Sequence, residues 1–367
     1  MGSSSLREGK YSYVEELGTH LETRALLVTT VPGLEDLLLL EVSKLLGSVE
    51  AYSTSRGRVI VKSRERLDGV RLHLLLSHLT LAEKLYLLLL EGEAASLEEV
   101  LSIIREHAST LEEILRVPMY FAVRARRVGD HPFTSCDLAR EVGRGLQMVG
   151  VGPPVSLDDP DITFYAELIH NRFRLGVDLT PFISLKDRGY RVYLHPSALN
   201  PIVARAMCRV AGIGEGGVLI DPMCGSGTIV IECMLENPSA TAVGCDVNPL
   251  HVRGARENAV KAGVNAEFLV AEIGELESIF RCCIEAIVTN PPYGVRERAV
   301  GGLYRVYRRL FEGALRLLEQ GGRLVILTPL KRIVRSVVKG IGELYLESVR
   351  NVEIGGLVAY MYKFKRL

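Results

Sequence analysis

Tryptophan is missing altogether, and no two of the seven cysteines fall into a CxxC or Cys/His spacing that would hold zinc. Cys136, Cys208, Cys224, Cys233, Cys245, Cys282 and Cys283 lie mostly in apolar segments, where cysteine behaves as a small hydrophobe. A reducing cytosolic setting, with no metal site, is the expectation. An excess of charge is lacking too, since 44 Lys and Arg balance 44 Asp and Glu. Any nucleic-acid site in such a neutral chain has to be a local patch. Also absent is the run of about 18 uncharged apolar residues that a membrane span needs. Glu41 follows Leu37–Leu40, and Glu83 and Lys84 precede Leu87–Leu90, so both runs are expected as core helices. The opening MGSSSL has no signal-peptide profile, and Leu6 breaks a myristoylation pattern.

Present instead are 48% hydrophobic residues over 367 positions, enough for two or three domains. From about residue 196 to the end, strand and helix patterns alternate. Strands are expected at 218–223, 241–247, 266–270, 285–289, 323–328, 344–353 and 357–364. Helices are expected at 227–236, 249–263, 303–318 (closed by Gln-Gly-Gly) and 331–341. That rhythm predicts an α/β fold with a mostly parallel seven-stranded sheet. The last two strands flank Gly355-Gly356 and should form an antiparallel pair. Residues 1–180 read as α+β, divided near 115. Helices are expected at 31–46, 67–90, 97–107, 110–115 and 135–149. Strands are expected at 25–30, 58–62 and 120–126, with a hairpin at 162–178. Residues 181–195 read as a linker.

Chemistry gathers at the carboxyl ends of the later strands. "VLIDPMCGSGTIVIE" (218–232) is strand, then a turn holding Gly225 and Gly227, then helix. Such a turn lets backbone approach a ligand and exposes helix N–H groups. "VGCDV" ends the next strand with Asp246, placed to take ribose hydroxyls or, more plainly, to cap the helix at Pro249. No Lys or Arg lies in the turn, the full GxGxxG is absent, and Asp221 would repel phosphate. A cation-bearing nucleoside, S-adenosylmethionine, therefore fits better than a dinucleotide. "TNPPYG" (289–294) ends another strand on the same edge. Its prolines stop the strand whatever else they do.

These segments resemble the class I (Rossmann-like) S-adenosylmethionine-dependent methyltransferases. DPMCGSG matches the family's cofactor motif and NPPY the catalytic motif of members that methylate planar nitrogens. The resemblance implies that the Asn290 side-chain oxygen and the Pro291 carbonyl accept the two amine N–H bonds. Pro292 stiffens the unit, and Tyr293 stacks on the base. It implies a cofactor site of Asp221, Cys224, Gly225, Ser226, Gly227, Asp246, Glu272, Ile273 and Asn290. Glu272, in "LVAEIGEL", stands where the family usually has the aspartate that holds the adenine amine. The segment "RGYRVYLHPSALNPIVARAM" (188–207) resembles the entry to the catalytic domain in tRNA guanine-N2 methyltransferases. Its HPxxL stretch (His195, Pro196, Ser197, Ala198 and Leu199) then closes over the cofactor.

"FAVRARRVGDHPFTSCDLAREVG" (121–143) and "DPDITFYAELIHNRFRLGVDLT" (159–180) resemble the THUMP domain of tRNA-modifying enzymes, usually preceded by a ferredoxin-like piece. The expected division is ferredoxin-like 1–115, THUMP 116–180, linker 181–195 and methyltransferase 196–367. Arg124, Arg126, Arg127, Arg140, Arg144, Lys186, Arg188, Arg296 and Arg298 are the candidate RNA contacts, since arginine forks suit phosphate. Each alone is more readily a solvated or salt-bridged surface cation, and it is their clustering that points to RNA. Within the THUMP group, Asn290 resembles the enzymes for guanosine 6, because those for guanosine 10 tend to carry aspartate there. The expected protein is a monomeric, cytoplasmic tRNA guanine-N2 methyltransferase. The alternatives are the same modification at position 10, adenine-N6 or protein-glutamine methylation, or a non-catalytic RNA-binding protein. A nicotinamide-dependent oxidoreductase ranks behind these.

Overall fold

The computed structural model describes residues 25–47, 49–115, 120–149, 154–180, 185–195, 198–280, 284–294 and 302–367. They fall into two compact units. One runs to Thr30 and from Glu35 to Leu185, and the other comprises Val31–Leu34 and Lys186–Leu367.

The first unit is built on a seven-stranded sheet of order β2-β3-β1-β4-β7-β6-β5. Its strands are β1 (Ala25–Thr29), β2 (Val49–Ser55), β3 (Arg58–Ser63), β4 (Lys84–Glu93), β5 (Phe121–Val128), β6 (Ile162–Ile169) and β7 (Arg172–Asp178). All neighbours are antiparallel except β5 and β6. The helices are α1 (Glu35–Leu46), α2 (Gly69–His78), α3 (Leu97–Glu106), α4 (Ala108–Leu115) and α5 (Ser135–Met148).

One expectation fails here. Residues 67–90 do not form a single helix: α2 ends at His78, and the leucine run belongs to β4. Leu79 is already extended, and the buried Glu41 carboxylate takes the N–H groups of Thr80 and Leu81 at 3.1 and 3.0 Å. Those bonds stop the helix. β4 lies between β1 and β7 with Leu85, Leu87, Leu88 and Leu90 all buried. A strand covered on both faces loses the polar alternation that would have marked it. The opposite problem hid β2, whose sequence VEAYSTS is too polar to read as a strand.

In the second unit, α6 (Pro201–Ala211) precedes β8 (Val218–Asp221), α7 (Thr228–Glu236), β9 (Thr241–Asp246), α8 (Pro249–Ala262) and β10 (Glu267–Val270). A 3-10 turn at Ile273–Glu275 and α9 (Leu276–Ile279) lead to β11 (Ile284–Thr289). Then come α10 (Leu303–Leu317), β12 (Leu318–Thr328), α11 (Lys331–Val338), β13 (Leu344–Ile354) and β14 (Leu357–Arg366). The sheet order is β10-β9-β8-β11-β12-β14-β13, and β14 alone runs against both neighbours. This is the expected sheet, including its antiparallel end. The Gln-Gly-Gly stretch lies inside β12 rather than in a turn, with Gly321 at φ +83°. α8 has Pro249 in its first turn and Gly263 at φ +69° past its end, as expected, but its side-chain cap is Asn248 rather than Asp246.

Two cysteines depart from the free-thiol reading. Cys208 on α6 and Cys233 on α7 form a disulfide within the buried helix–helix contact, their Cα atoms 5.4 Å apart. A spacing of 25 residues carries no disulfide signal in sequence; only the packing of the two helices brings the sulfurs into bonding range. No described helix is long and apolar enough to cross a membrane, and no cluster of metal-ligating side chains occurs among the described residues.

Candidate active site

A cleft of about 1050 Å³ opens along the carboxyl edge of the second unit's sheet. Its size lies at the upper end for small-molecule sites. The floor is the turn after β8. Cys224 N–H donates to Cys245 O at 2.8 Å, tying that turn to β9. Gly227 starts α7 at φ +79°, and a Cβ there would lie 2.9 Å from the Phe268 ring and 3.0 Å from Ala255 Cβ. Only glycine meets both demands.

Two aspartates flank the turn in different states. Asp246, ending β9, accepts from Gly225 N–H at 3.0 Å and Asn248 N–H at 2.9 Å, and His251 Nδ1 stands 3.2 Å away. Those bonds aim its carboxylate into the cleft. Asp221, ending β8, is 1% exposed and accepts from Met223 N–H at 3.1 Å. It has no cationic partner among the described residues. Burial pushes its carboxyl up to about 7; the Thr289 hydroxyl and Met223 N–H offset part of that rise, and the nearby Asp246 charge adds to it. Burial also raises the thiols of Cys224 and Cys245, the latter to about 12, so both stay neutral.

The remaining expected residues close the cleft. The His195 ring packs edge-on against His251 at 4.2 Å, and Ala198 and Leu199 line the wall; Pro196 and Ser197 lie outside the described residues. Glu272 and Ile273 line the opposite side. The Glu272 carboxylate is held by Arg309 of α10, while its backbone N–H donates to Glu275 at 2.8 Å. At the end of β11, Asn290, Pro291, Pro292 and Tyr293 share the same space. The Tyr293 hydroxyl donates to Asn290 Oδ1 and lies 3.4 Å from Leu327 O. Thus the acceptor expected to wait for an amine is occupied by the tyrosine expected to stack. Tyr307 supports the motif from below, bonded to Thr328 at 2.6 Å and 3.5 Å from Pro292 O.

Several functional neighbours were not read from the sequence. His251 sits five residues after Asp246, a distance that one helical turn folds back onto the strand end, so that signal was available. Tyr307 and the Ile354, Leu357 and Ala359 wall of the terminal hairpin had no local mark.

The arginines divide. Arg124 and Arg126 are exposed on β5, and Arg140 and Arg144 on α5, where they pair with Asp137 and Glu141 at 3.0 and 2.9 Å. Arg127 is half-buried and donates to Gly129 O, and Lys186 is exposed. Arg188 is not a surface contact. Its guanidinium bonds the wholly buried Glu232 at 3.0 Å, alongside Arg205 and Tyr190. Arg296 and Arg298 lie outside the described residues.

The donor set fits S-adenosylmethionine. A buried carboxylate without a cation suits an ammonium or sulfonium, an oriented aspartate suits a ribose diol, and no cation lies in the glycine turn to hold a pyrophosphate. Fold and cleft together define a class I S-adenosylmethionine-dependent methyltransferase.

Comparison with known proteins sharpens that class. Residues 188–359 match the RMKL-like methyltransferase domain, and residues 97–178 match the THUMP domain. The chain is 32% identical to a tRNA (guanine(6)-N2)-methyltransferase of Archaeoglobus fulgidus, across 92% of this chain and 91% of that protein. Identity to the enzyme of the same description from Thermus thermophilus is 33%, across 92% and 98%. The crystal structure of TrmN from Thermus thermophilus superposes with a TM-score of 0.80 at 32% identity, covering 94% of this chain and 99% of that one. The chain belongs to the THUMP-containing tRNA (guanine-N2)-methyltransferase family.

Proposed function

We propose that this chain is a cytoplasmic, monomeric enzyme that methylates N2 of guanosine 6 in the acceptor stem of tRNA. The observation that carries the reading is the meeting of Asp221, Asp246 and Asn290-Pro-Pro-Tyr in one cleft. Bound S-adenosylmethionine supplies an electrophilic methyl group on a sulfonium. Asp246 would hold the ribose hydroxyls, Asp221 the cationic methionine portion, and Glu272 the adenine amine, shared with Arg309.

A guanine amine is a poor nucleophile because its lone pair is delocalised into the ring. Asn290 Oδ1 and the Pro291 carbonyl, accepting its two N–H bonds, would draw the nitrogen toward sp³ geometry and aim the lone pair at the methyl. The bound cofactor would supply the methyl group, its sulfur leaving as the thioether, and the amine proton would pass to solvent. Catalysis then rests on positioning and hydrogen-bond electrostatics. An entering amine takes the place that the Tyr293 hydroxyl holds on Asn290, releasing the tyrosine ring to stack on an extruded base. Position 6 is supported by the names of the two relatives and by asparagine, rather than aspartate, at 290.

The test is methyl transfer from labelled cofactor to unmodified tRNA transcripts, with nucleoside mapping. N2-methylguanosine at position 6 is expected. The same product elsewhere overturns the position, and no incorporation with cofactor bound overturns the substrate. Asn290→Ala should cost about 10²- to 10³-fold in turnover with cofactor affinity kept.

A further inference from the structure

α11 carries a surface that neither the cofactor cleft nor the arginines discussed above account for. From Lys331 to Gly340 there is no acidic residue. At about 100° per residue, Lys331, Arg332, Arg335 and Lys339 fall within an arc of roughly 100°, while Val334 and Val337 face the core at 3% exposure each. All four cations are exposed. Among the described residues none of them pairs with a carboxylate. On the adjoining α10, by contrast, Arg308, Arg309 and Arg316 pair with Glu312, Glu272 and Glu277. Like charges at i,i+3 and i,i+4, here 332 with 335, 331 with 335 and 335 with 339, weaken a helix. A merely solvated face has no need of such an arrangement, whereas a polyanion relieves it.

Position supplies the second argument. α11 begins three residues after Thr328, at the carboxyl end of β12, and β12 lies beside β11, which ends at the catalytic motif. Leu327 O is 3.4 Å from the Tyr293 hydroxyl, so the basic helix leaves the sheet next to the reacting site. Its first lysine is fixed there, with Nζ 3.7 Å from the centre of the Tyr360 ring.

We infer that this face of α11 is a phosphate-contact surface that holds the RNA backbone beside the methylated guanosine; the inference rests on the tRNA reading above. Lys331, Arg332, Arg335 and Lys339 are positioning residues and touch neither cofactor nor base. Such contacts fix register and make affinity steeply salt-dependent without reading sequence.

The test compares the full chain with its Arg332→Ala/Arg335→Ala/Lys339→Ala variant, using unmodified tRNA transcript at several salt concentrations. Affinity for tRNA should fall about tenfold or more, and the slope of log affinity against log salt should drop by about 2 to 3. Cofactor affinity and turnover at saturating tRNA should be unchanged, and the Arg332→Lys/Arg335→Lys variant should bind like the parent. An unaltered slope and affinity overturn the inference, as does a parallel loss of cofactor affinity, which marks a structural role. If the parent protein methylates no tRNA, the underlying reading fails first; if it does, and the variant binds equally well, only this inference fails.

Discussion

Each unit buries a glutamate completely and clasps it between arginines, while the cofactor cleft buries an aspartate and leaves it alone. In the first unit, Glu167 lies between Arg58 Nε at 2.8 Å and Arg174 Nη1 at 3.0 Å. In the second, Glu232 receives Arg188 at 3.0 Å, Arg205 at 2.7 Å and the Tyr190 hydroxyl at 2.9 Å. Asp221 is as deeply buried but accepts from the Met223 N–H and has no cation beside it among the described residues. A buried carboxylate is costly unless paired. The two glutamates are paired within the protein and belong to its framework. Burial lets Asp221 hold its proton up to about neutral pH, and no protein cation among the described residues takes the partner's place that a cationic ligand would fill.

The largest effect that bears on this contrast is in the framework. Glu232→Ala removes the carboxylate shared by Arg188, Arg205 and Tyr190, leaving Arg205, only 4% exposed, with Glu236 as its remaining ion-pair partner among the described residues. Unfolding free energy should fall by about 3 kcal/mol, the lower end for a broken buried pair, because Glu236 still compensates part of the Arg205 charge. Denaturant titration measures it, and a loss below about 1 kcal/mol would erase the distinction. Asp221→Asn should do the reverse: stability near pH 8 stays equal or rises, while S-adenosylmethionine affinity drops by about 2 kcal/mol, roughly 30-fold by calorimetry. A stability loss matching that of Glu232→Ala would make Asp221 another framework carboxylate. Asp246→Ala should weaken cofactor binding by about tenfold, the scale of one charge-assisted hydrogen bond; unchanged affinity would remove the ribose role.

The same contrast explains what was legible beforehand. Linear motifs at a sheet edge are local, so Asp221, Gly225, Gly227, Asp246 and Asn290–Tyr293 could be placed from the alternation of strands and helices alone. Pairing of buried charges is not local. Arg188 reads as a surface cation until its partner 44 residues on, Glu232, is brought beneath it, and Glu41 reads as a break in a leucine run until it accepts the N–H groups of Thr80 and Leu81 just past α2. β4 failed for a related reason, because a strand central to its sheet carries no alternation. The Tyr293–Asn290 bond was missed because the motif was read for its working arrangement, whereas the free site satisfies its acceptor with the nearest donor.

The smallest predicted effect is the most specific. Burial raises the Asp221 carboxyl to about 7, so the folded chain holds that proton more tightly than the unfolded one. The stability this contributes is fully present below the ordinary carboxylate range near 4 and is lost as pH rises through about 7. Cofactor binding has the opposite sign, because an ammonium favours the ionised carboxylate. Affinity for S-adenosylmethionine should rise about tenfold from pH 6 to pH 8 and level off above, with proton release on binding in the lower half of that range. His251 stands beside Asp246 and His195 packs against His251, so the parent profile alone does not assign the rise. Cys224 and Cys245 remain neutral thiols throughout. Calorimetry on Asp221→Asn and His251→Gln separates the sources: the rise should vanish in the first and persist in the second. If it vanishes in the His251 variant instead, the unpaired aspartate is no ligand-sensing charge, and the imidazole beside Asp246 sets the pH response of the site.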